Sequence, residues 1–301
     1  MTPTLRAEKY RIGIVGVGNM GGGMAQNLLG KGWPVQVHDV DAARIRFISS
    51  FGAFAGINPS QVAINSVVTI VCVVDAAQTR EVLFGVNGIA AAMPLGGTVM
   101  LCPTLAPESV EEFAAELRQS GLHTIDAPMS GGPARAADGS MSLMVACEPH
   151  VFVRHKALLD ALSNRLFHVG DRVGDGARTK LVNNLLAGIN LVGAAEVMAL
   201  ASRMGLDLNR TLGVVEQSSG QSWIGSDRMR RAIAGDLAPR AHMTLLAKDT
   251  RLAQEAAAHA GFAGPLGAHA SAVFAAAVAA GLEGLDDGAL LEFLQRPKMA
   301  E

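Results

Sequence analysis

Lys180 and Asn184 stand four residues apart in Gly174–Met204, GDGARTKLVNNLLAGINLVGAAEVMALASRM, a stretch that predicts one long helix. That spacing places both side chains on one helical face. A glycine-rich turn opens the helix, with Asp175 near the N-cap position. A lysine in the first turn faces the positive end of the helix dipole, which favours its neutral form. A lysine that can release its proton near neutral pH is suited to general acid/base work. The plainer alternative is a lysine whose stem lies on the helix while its ammonium group reaches solvent. From Leu181 to Leu200 the apolar residues fall on every face, so most of this helix is expected to be covered by protein. Twenty such residues could cross a membrane, but Asn183, Asn184, Asn190 and Glu196 interrupt them.

A second constellation lies near the start. The apolar run Tyr10–Val15 reads as a buried strand and leads straight into Gly16-Val17-Gly18-Asn19-Met20-Gly21. A helix follows, ending near Gly32; Pro34 stops it and Val35–Val37 forms the next strand. In such a βαβ unit Gly16 permits a tight turn and Gly18 lets the backbone approach a pyrophosphate. Gly21 lets helix and strand pack closely, and the helix N-terminus faces the phosphates. Asp39 ends the second strand, 18 residues after Gly21. A carboxylate there accepts the ribose hydroxyls of NAD and repels the 2′-phosphate of NADP; a simple turn or cap is the alternative. The residues around it, His38-Asp39-Val40-Asp41, include no arginine, although Arg44 and Arg46 lie within reach. NAD is therefore favoured over NADP.

Positioning these groups requires alternating strands and helices. Strands are expected at Val67–Val74, Thr98–Cys102, His123–Asp126, Met141–Ala146 and Leu166–Val169, and helices at Ala76–Phe84 and Pro107–Ser120. Repeated βα units with short loops give a mostly parallel sheet with helices on both faces. Ligands of such sheets lie beyond the carboxyl ends of the strands, where Thr104 and Ser130-Gly131-Gly132 fall. The last three offer a hydroxyl and backbone N–H groups for a substrate carboxylate, or are a plain glycine turn. Beyond the long helix, Leu208–Gln217, Trp223–Ala234, Pro239–His259, Leu266–Ala280 and Asp287–Leu294 read as helices with no strand pattern. The fold class is therefore α/β: a Rossmann-type doubly wound sheet over residues 1–170, then an all-α domain over 171–301.

The totals narrow the partners. Lys+Arg is 25 and Asp+Glu 27, a net charge of −2, which leaves no basic field for nucleic acid or anionic lipid. The three cysteines are far apart and the eight histidines look scattered, so no metal site is expected. MTPTLRAEKY lacks an apolar leader core, which implies a cytoplasmic protein, and Arg296–Glu301 is expected to fray.

Four segments together resemble the β-hydroxyacid dehydrogenases, which include 3-hydroxyisobutyrate dehydrogenase, tartronate semialdehyde reductase and the 6-phosphogluconate dehydrogenases. They are GVGNMGGGMAQNL from Gly16, DAPMSGGPARAADGSMSLMV from Asp126, GDRVGDGARTKLVNN from Gly170, and Lys248-Asp249 within LLAKDTRLA. The second is the most specific, and the likeness covers roughly residues 10 to 295 in the family's order. It implies that Lys180 is the acid/base, that Asn184 orients substrate, and that Ser130, Gly131 and Gly132 hold its carboxylate end. It also assigns Gly16, Val17, Gly18, Asn19, Met20, Gly21, Asp39, Val74, Thr104 and Lys248 to the cofactor. Cys102-Pro103-Thr104 departs from the family, where hydroxyl residues more often precede the threonine. Val74-Asp75-Ala76-Ala77-Gln78-Thr79, Ser222-Trp223 and Pro239-Arg240 resemble the branch that oxidises the 2-hydroxyl of a four-carbon sugar acid such as L-threonate. The resemblance further implies a small hydroxy acid or its oxo form as substrate, and a homodimer or homotetramer. A non-catalytic NAD-binding sensor is the rival class, against which the pairing of Lys180 with Asn184 speaks.

Overall fold

The computed structural model describes residues 9–296, so the readings made for the first eight residues and for those after 296 lie outside it. Among the described residues nine strands form one sheet: β1 (Ile12–Val15), β2 (Val35–His38), β3 (Phe54–Ala55), β4 (Val68–Val71), β5 (Thr98–Leu101), β6 (His123–Asp126), β7 (Met129–Ser130), β8 (Ser142–Ala146) and β9 (Arg165–Gly170). Their order is β3-β2-β1-β4-β5-β6-β8-β7, with β9 also on β8. From β3 to β6 every pairing is parallel; β8 runs antiparallel to β6 and β7, and β9 returns parallel to β8.

The central strands β1, β4 and β5 are buried along their whole length, as parallel strands covered on both faces must be. Alternation sends Ile12, Ile14, Val68, Ile70 and Met100 into one core and Val15, Val71, Val99 and Leu101 into the other. Met24, Leu28, Leu158 and Leu159 cover the first face; Leu83, Val110, Phe113 and Leu117 cover the second. Helix starts follow local chemistry. Asp41, Asn58, Asp75, Asp207 and Ser222 each accept a backbone N–H of the turn they cap. Pro59, Pro107, Pro149 and Pro265 occupy first-turn positions where no N–H is needed.

The long helix runs Asp175–Arg203, and the chain divides within it into two compact units, Met1–Lys180 and Leu181–Glu301. In the second unit Leu191, Ala195 and Met198 of this helix pack with Leu212, Met229, Met243, Leu246, Phe274 and Leu290. The expectation that most of the helix is covered needs correction: Val182, Leu186, Val197 and Leu200 are about half exposed or more. Its partners within the chain line one side of it, and periodicity alone does not say what covers the rest. The helix expected from Pro239 begins only at Met243. Buried Asp286 accepts the N–H groups of Arg240 and Ala241, and His242 bridges to Asp286, so these residues run extended. Beyond Ala277 the expected helix widens into a π turn over Val278–Leu282, where Gly281 has φ +85°.

Candidate active site

Register lines up the strand ends. His38, Val15, Val71, Leu101 and Asp126 form one row across β2, β1, β4, β5 and β6. Each next residue leaves the sheet on the same rim. Asp39, Gly16 and Ala127 lie there, with Val74 and Thr104 each three residues past the end of their strand.

At Gly16 the backbone turns with φ +90°, and a Cβ there would meet the Cys72 carbonyl oxygen at 2.5 Å. A Cβ on Gly21 would stand 2.0 Å from Gly16 O, so helix and turn touch backbone to backbone. The helix starts at Asn19, with Met20 half-buried against the core. Above Gly18 only the end of the Arg44 side chain intrudes, its Nη1 2.6 Å from where a Cβ would be. Asp39 ties into this turn: its carboxylate accepts Val17 N–H at 2.7 Å and Asp41 N–H at 2.9 Å. The residues present thus fit a dinucleotide, with a turn open to phosphates and a carboxylate at its flank. Val74 is exposed, its N–H 3.3 Å from Gln78 Oε1.

Asp126, one residue short of that rim, is 1% exposed, and sequence reasoning gave it no role. Its Oδ2 accepts Gly174 N–H at 2.9 Å and Ala177 N–H at 3.0 Å, so it holds the start of the long helix. Burial pushes its carboxyl up to about 6 despite these amides, and the Asp175 charge adds to the rise. Gly176 must be glycine here: a Cβ would lie 2.9 Å from Asp126 Cγ and from Met144 O.

Lys180 sits in the second turn of that helix, not the first, because the helix begins at Asp175. It is 7% exposed, which rejects the solvent-reaching alternative. Its Nζ donates to Met129 O at 2.6 Å, one residue before Ser130. Ser130-Gly131-Gly132 is not a plain loop. Ser130 ends β7 and pairs with Ser142, Gly131 turns with φ +128°, and Gly132 opens a short helix to Asp138. The lysine nitrogen is therefore set beside the segment expected to hold a carboxylate.

In the helical unit, Asn184 is buried and donates to Asp249 Oδ2 at 2.6 Å, while its Oδ1 accepts from Asn183 at 3.0 Å. Asp249, which contacts the two expected site residues Asn184 and Lys248, enters the sequence analysis only as the neighbour of Lys248. Its other oxygen lies 3.3 Å from Lys248 Nζ. Asp249 thus fixes the Asn184 amide by a hydrogen bond and pairs with the Lys248 charge without one. Lys248 borders a depression it shares with Thr244, Arg251 and Ser271. The thiols of half-buried Cys72 and buried Cys102 are pushed far up by desolvation, to about 12 in the case of Cys72, so neither is a ready nucleophile.

Residues 11–170 match the family model described as the NAD binding domain of 6-phosphogluconate dehydrogenase. Residues 174–294 match the model described as NAD-binding of NADP-dependent 3-hydroxyisobutyrate dehydrogenase. Over 293 residues the chain is 35% identical to an L-threonate dehydrogenase of Cupriavidus necator, covering 96% of this chain and 99% of that protein. It is 31% identical over 298 residues to the mitochondrial 3-hydroxyisobutyrate dehydrogenase of Bos taurus, covering 96% and 88%. A crystal structure of 3-hydroxyisobutyrate dehydrogenase from Salmonella typhimurium superposes with a TM-score of 0.89 at 34% identity, over 95% of this chain and 100% of that one. The chain belongs to the β-hydroxyacid dehydrogenase family, as a nicotinamide-dependent oxidoreductase acting on the CH–OH group of a hydroxy acid.

Proposed function

We propose that this enzyme oxidises the 2-hydroxyl of a four-carbon sugar acid of the L-threonate type, using NAD, with Lys180 as acid/base. The observation that carries the lysine's role is its burial with Nζ on the Met129 carbonyl, beside Ser130. In this reading Ser130, Gly131 and Gly132 hold the substrate carboxylate, and Asn184 fixes the hydroxyl with its own amide pinned by Asp249. Gly16, Val17, Gly18, Asn19, Met20, Gly21, Asp39, Val74, Thr104 and Lys248 serve the cofactor. A bound nicotinamide supplies the hydride acceptor. Lys180 Nζ takes the hydroxyl proton as the carbinol C–H bond breaks, and returns it in the reverse direction. The four-carbon preference is supported by likeness to the L-threonate dehydrogenase of Cupriavidus necator. A homodimer or homotetramer is supported by the exposed Val182, Leu186, Val197 and Leu200. The helices Asp175–Arg203 and Pro265–Leu282 are long and apolar enough to cross a membrane. Here they are taken as packing and subunit-contact helices of a cytoplasmic enzyme. A net charge of −2 argues against a nucleic-acid role.

One experiment tests both halves. A panel of C3–C5 hydroxy acids is assayed with NAD and NADP by the absorbance of reduced cofactor, for the native enzyme and Lys180→Ala. L-Threonate should give the highest kcat/KM, and Lys180→Ala should lower kcat by roughly 10²–10⁴ with NAD affinity little changed. Faster turnover of 3-hydroxyisobutyrate would overturn the substrate, and near-normal turnover by a folded Lys180→Ala enzyme would overturn the acid/base. No turnover on any acid would favour the sensor class.

A further inference from the structure

At the rim opposite the glycine turn the structure brings together two of the histidines that look scattered in the sequence. His123 opens β6, in register with Thr98, Val68 and Ile12 at the amino ends of the parallel strands. Glu148 and Pro149-His150 begin the helix Pro149–Leu162, which packs near β6 in the same unit. The separation of 25 positions between His123 and Glu148 hid the grouping. One donor atom from each of His123, Glu148 and His150 lies within 4.8 Å of the other two. His150 Nδ1 is 3.4 Å from Glu148 Oε2, and the two imidazole rings meet edge to face, 5.1 Å between centroids.

We propose that His123, Glu148 and His150 form a site for a divalent transition metal of the zinc type. Two imidazoles and one carboxylate suit zinc, nickel or copper and not calcium or magnesium, which want an all-oxygen shell. With bonds of about 2.0–2.2 Å, donors on a tetrahedron stand roughly 3.4 Å apart. One pair already has that spacing, and the others close by at most about 1.4 Å through rotation of side chains on the surface. The backbones are already in place: β6 is fixed by β5, and Glu148 O accepts the N–H groups of Val151 and Phe152. Three protein donors leave a fourth position for water. The competing arrangement is an ion pair of Glu148 with Arg118, 3.8 Å away and mostly exposed, which is weak at that length. Arg154 acts on His123 electrostatically and opposes a cation there. A metal here would pin the amino end of β6 to the start of a helix, a strand length away from the Gly16 turn. Its effect is on stability and not on turnover.

The test uses the full chain freed of metal with EDTA. Zinc titrated by calorimetry should bind with micromolar Kd at one equivalent and raise Tm by a few degrees. Cobalt should give the visible absorption bands of a four-coordinate site. His150→Ala and Glu148→Gln should each weaken zinc by at least about tenfold. Both should leave the Tm in EDTA and the dehydrogenase kcat unchanged, which shows that the variants fold. Absence of zinc uptake at 100-micromolar metal would overturn the site, and so would uptake undiminished in the His123→Ala/His150→Ala double variant.

Discussion

Asp126 of the Rossmann unit and Asp286 of the helical unit, the latter beside Asp287, are each buried at 1% exposure, and Asp126 and Asp286 are satisfied in opposite ways. Asp126 of the Rossmann unit is held by the backbone amides of Gly174, Gly176 and Ala177. Asp286 of the helical unit takes both Arg231 Nη1 contacts at 3.1 Å, lies 3.7 Å from Arg228 Nε, and accepts the amides of Arg240 and Gly288. Burial works against both charges. It prevails at Asp126, whose carboxyl rises to about 6, while amides and two guanidinium groups hold Asp286 below the usual carboxylate range. Asp126 anchors the helix that carries Lys180. Amides fix its place there without setting a second cation beside a residue assigned to proton transfer. Asp286 anchors a turn with no assigned proton chemistry, where full charge pairing gives the stiffest clamp.

Breaking the clamp should have the largest effect. Arg231→Met leaves buried Asp286 without the Nη1 that contacts both its oxygens, with Arg228 still 3.7 Å away, at a cost of up to about 3–5 kcal/mol. Urea unfolding should show this as a lower midpoint, while kcat per folded molecule stays near native. A loss below about 1 kcal/mol would mean that the amides alone suffice in both units.

The next effect follows from the pH dependence of Asp126. Its folded pKa of about 6 exceeds the ordinary 3.8. Between those values the folded state keeps a proton that the unfolded state has lost. Stability from this group is therefore full below about pH 4 and lost as pH rises through about 6, by up to about 3 kcal/mol. Asp286, with its lowered pKa, has the opposite slope and loses stability as pH falls through its folded value. Asp126→Asn cannot titrate. The stability gap between native enzyme and this variant should shrink from pH 4 to pH 7, measured by denaturant unfolding. The variant should also show a lower kcat with NAD affinity unchanged, since the start of the Lys180 helix loses an anchor. A gap independent of pH would mean Asp126 is ionised throughout and is clamped as firmly as Asp286.

What was legible in the sequence was local. Gly16, Gly18 and Gly21 sit within six residues between a strand and a helix, and Lys180 and Asn184 share a turn, so spacing singled them out as candidates. Asp126 closes a strand like any terminal residue; the amides it binds lie 48 and 51 residues away. Asp249 reaches Asn184 across 65 residues, and Asp286 captures Arg240 across 46. Helical periodicity through Pro239–His242 had nothing to oppose it until Asp286 arrived from that distance. The short pair β7 and the helix after Gly131 were missed for a related reason. Two-residue strands carry no period, and a glycine with φ +128° reads in sequence as any turn.

Asp39 puts the same contrast to its finest test, on a carboxylate held by amides but partly open to solvent. Val17 and Asp41 N–H groups fix its two oxygens, and each oxygen keeps a lone pair for a ribose hydroxyl. A 2′-phosphate would meet that charge directly, so NAD should bind at least about tenfold more tightly than NADP, about 1.4 kcal/mol. Asp39→Ser removes the repulsion and should narrow the gap. Arg44, paired with Asp41 at 3.5 Å and reaching over Gly18, is then the nearest cation for the phosphate. Adding Arg44→Ala to Asp39→Ser should take back the gain in NADP affinity while leaving NAD almost untouched. Calorimetric Kd values for both cofactors measure this without any turnover. Equal binding of NAD and NADP by the native protein would show that amide-held Asp39 does not read the ribose, whatever becomes of the Lys180 assignment.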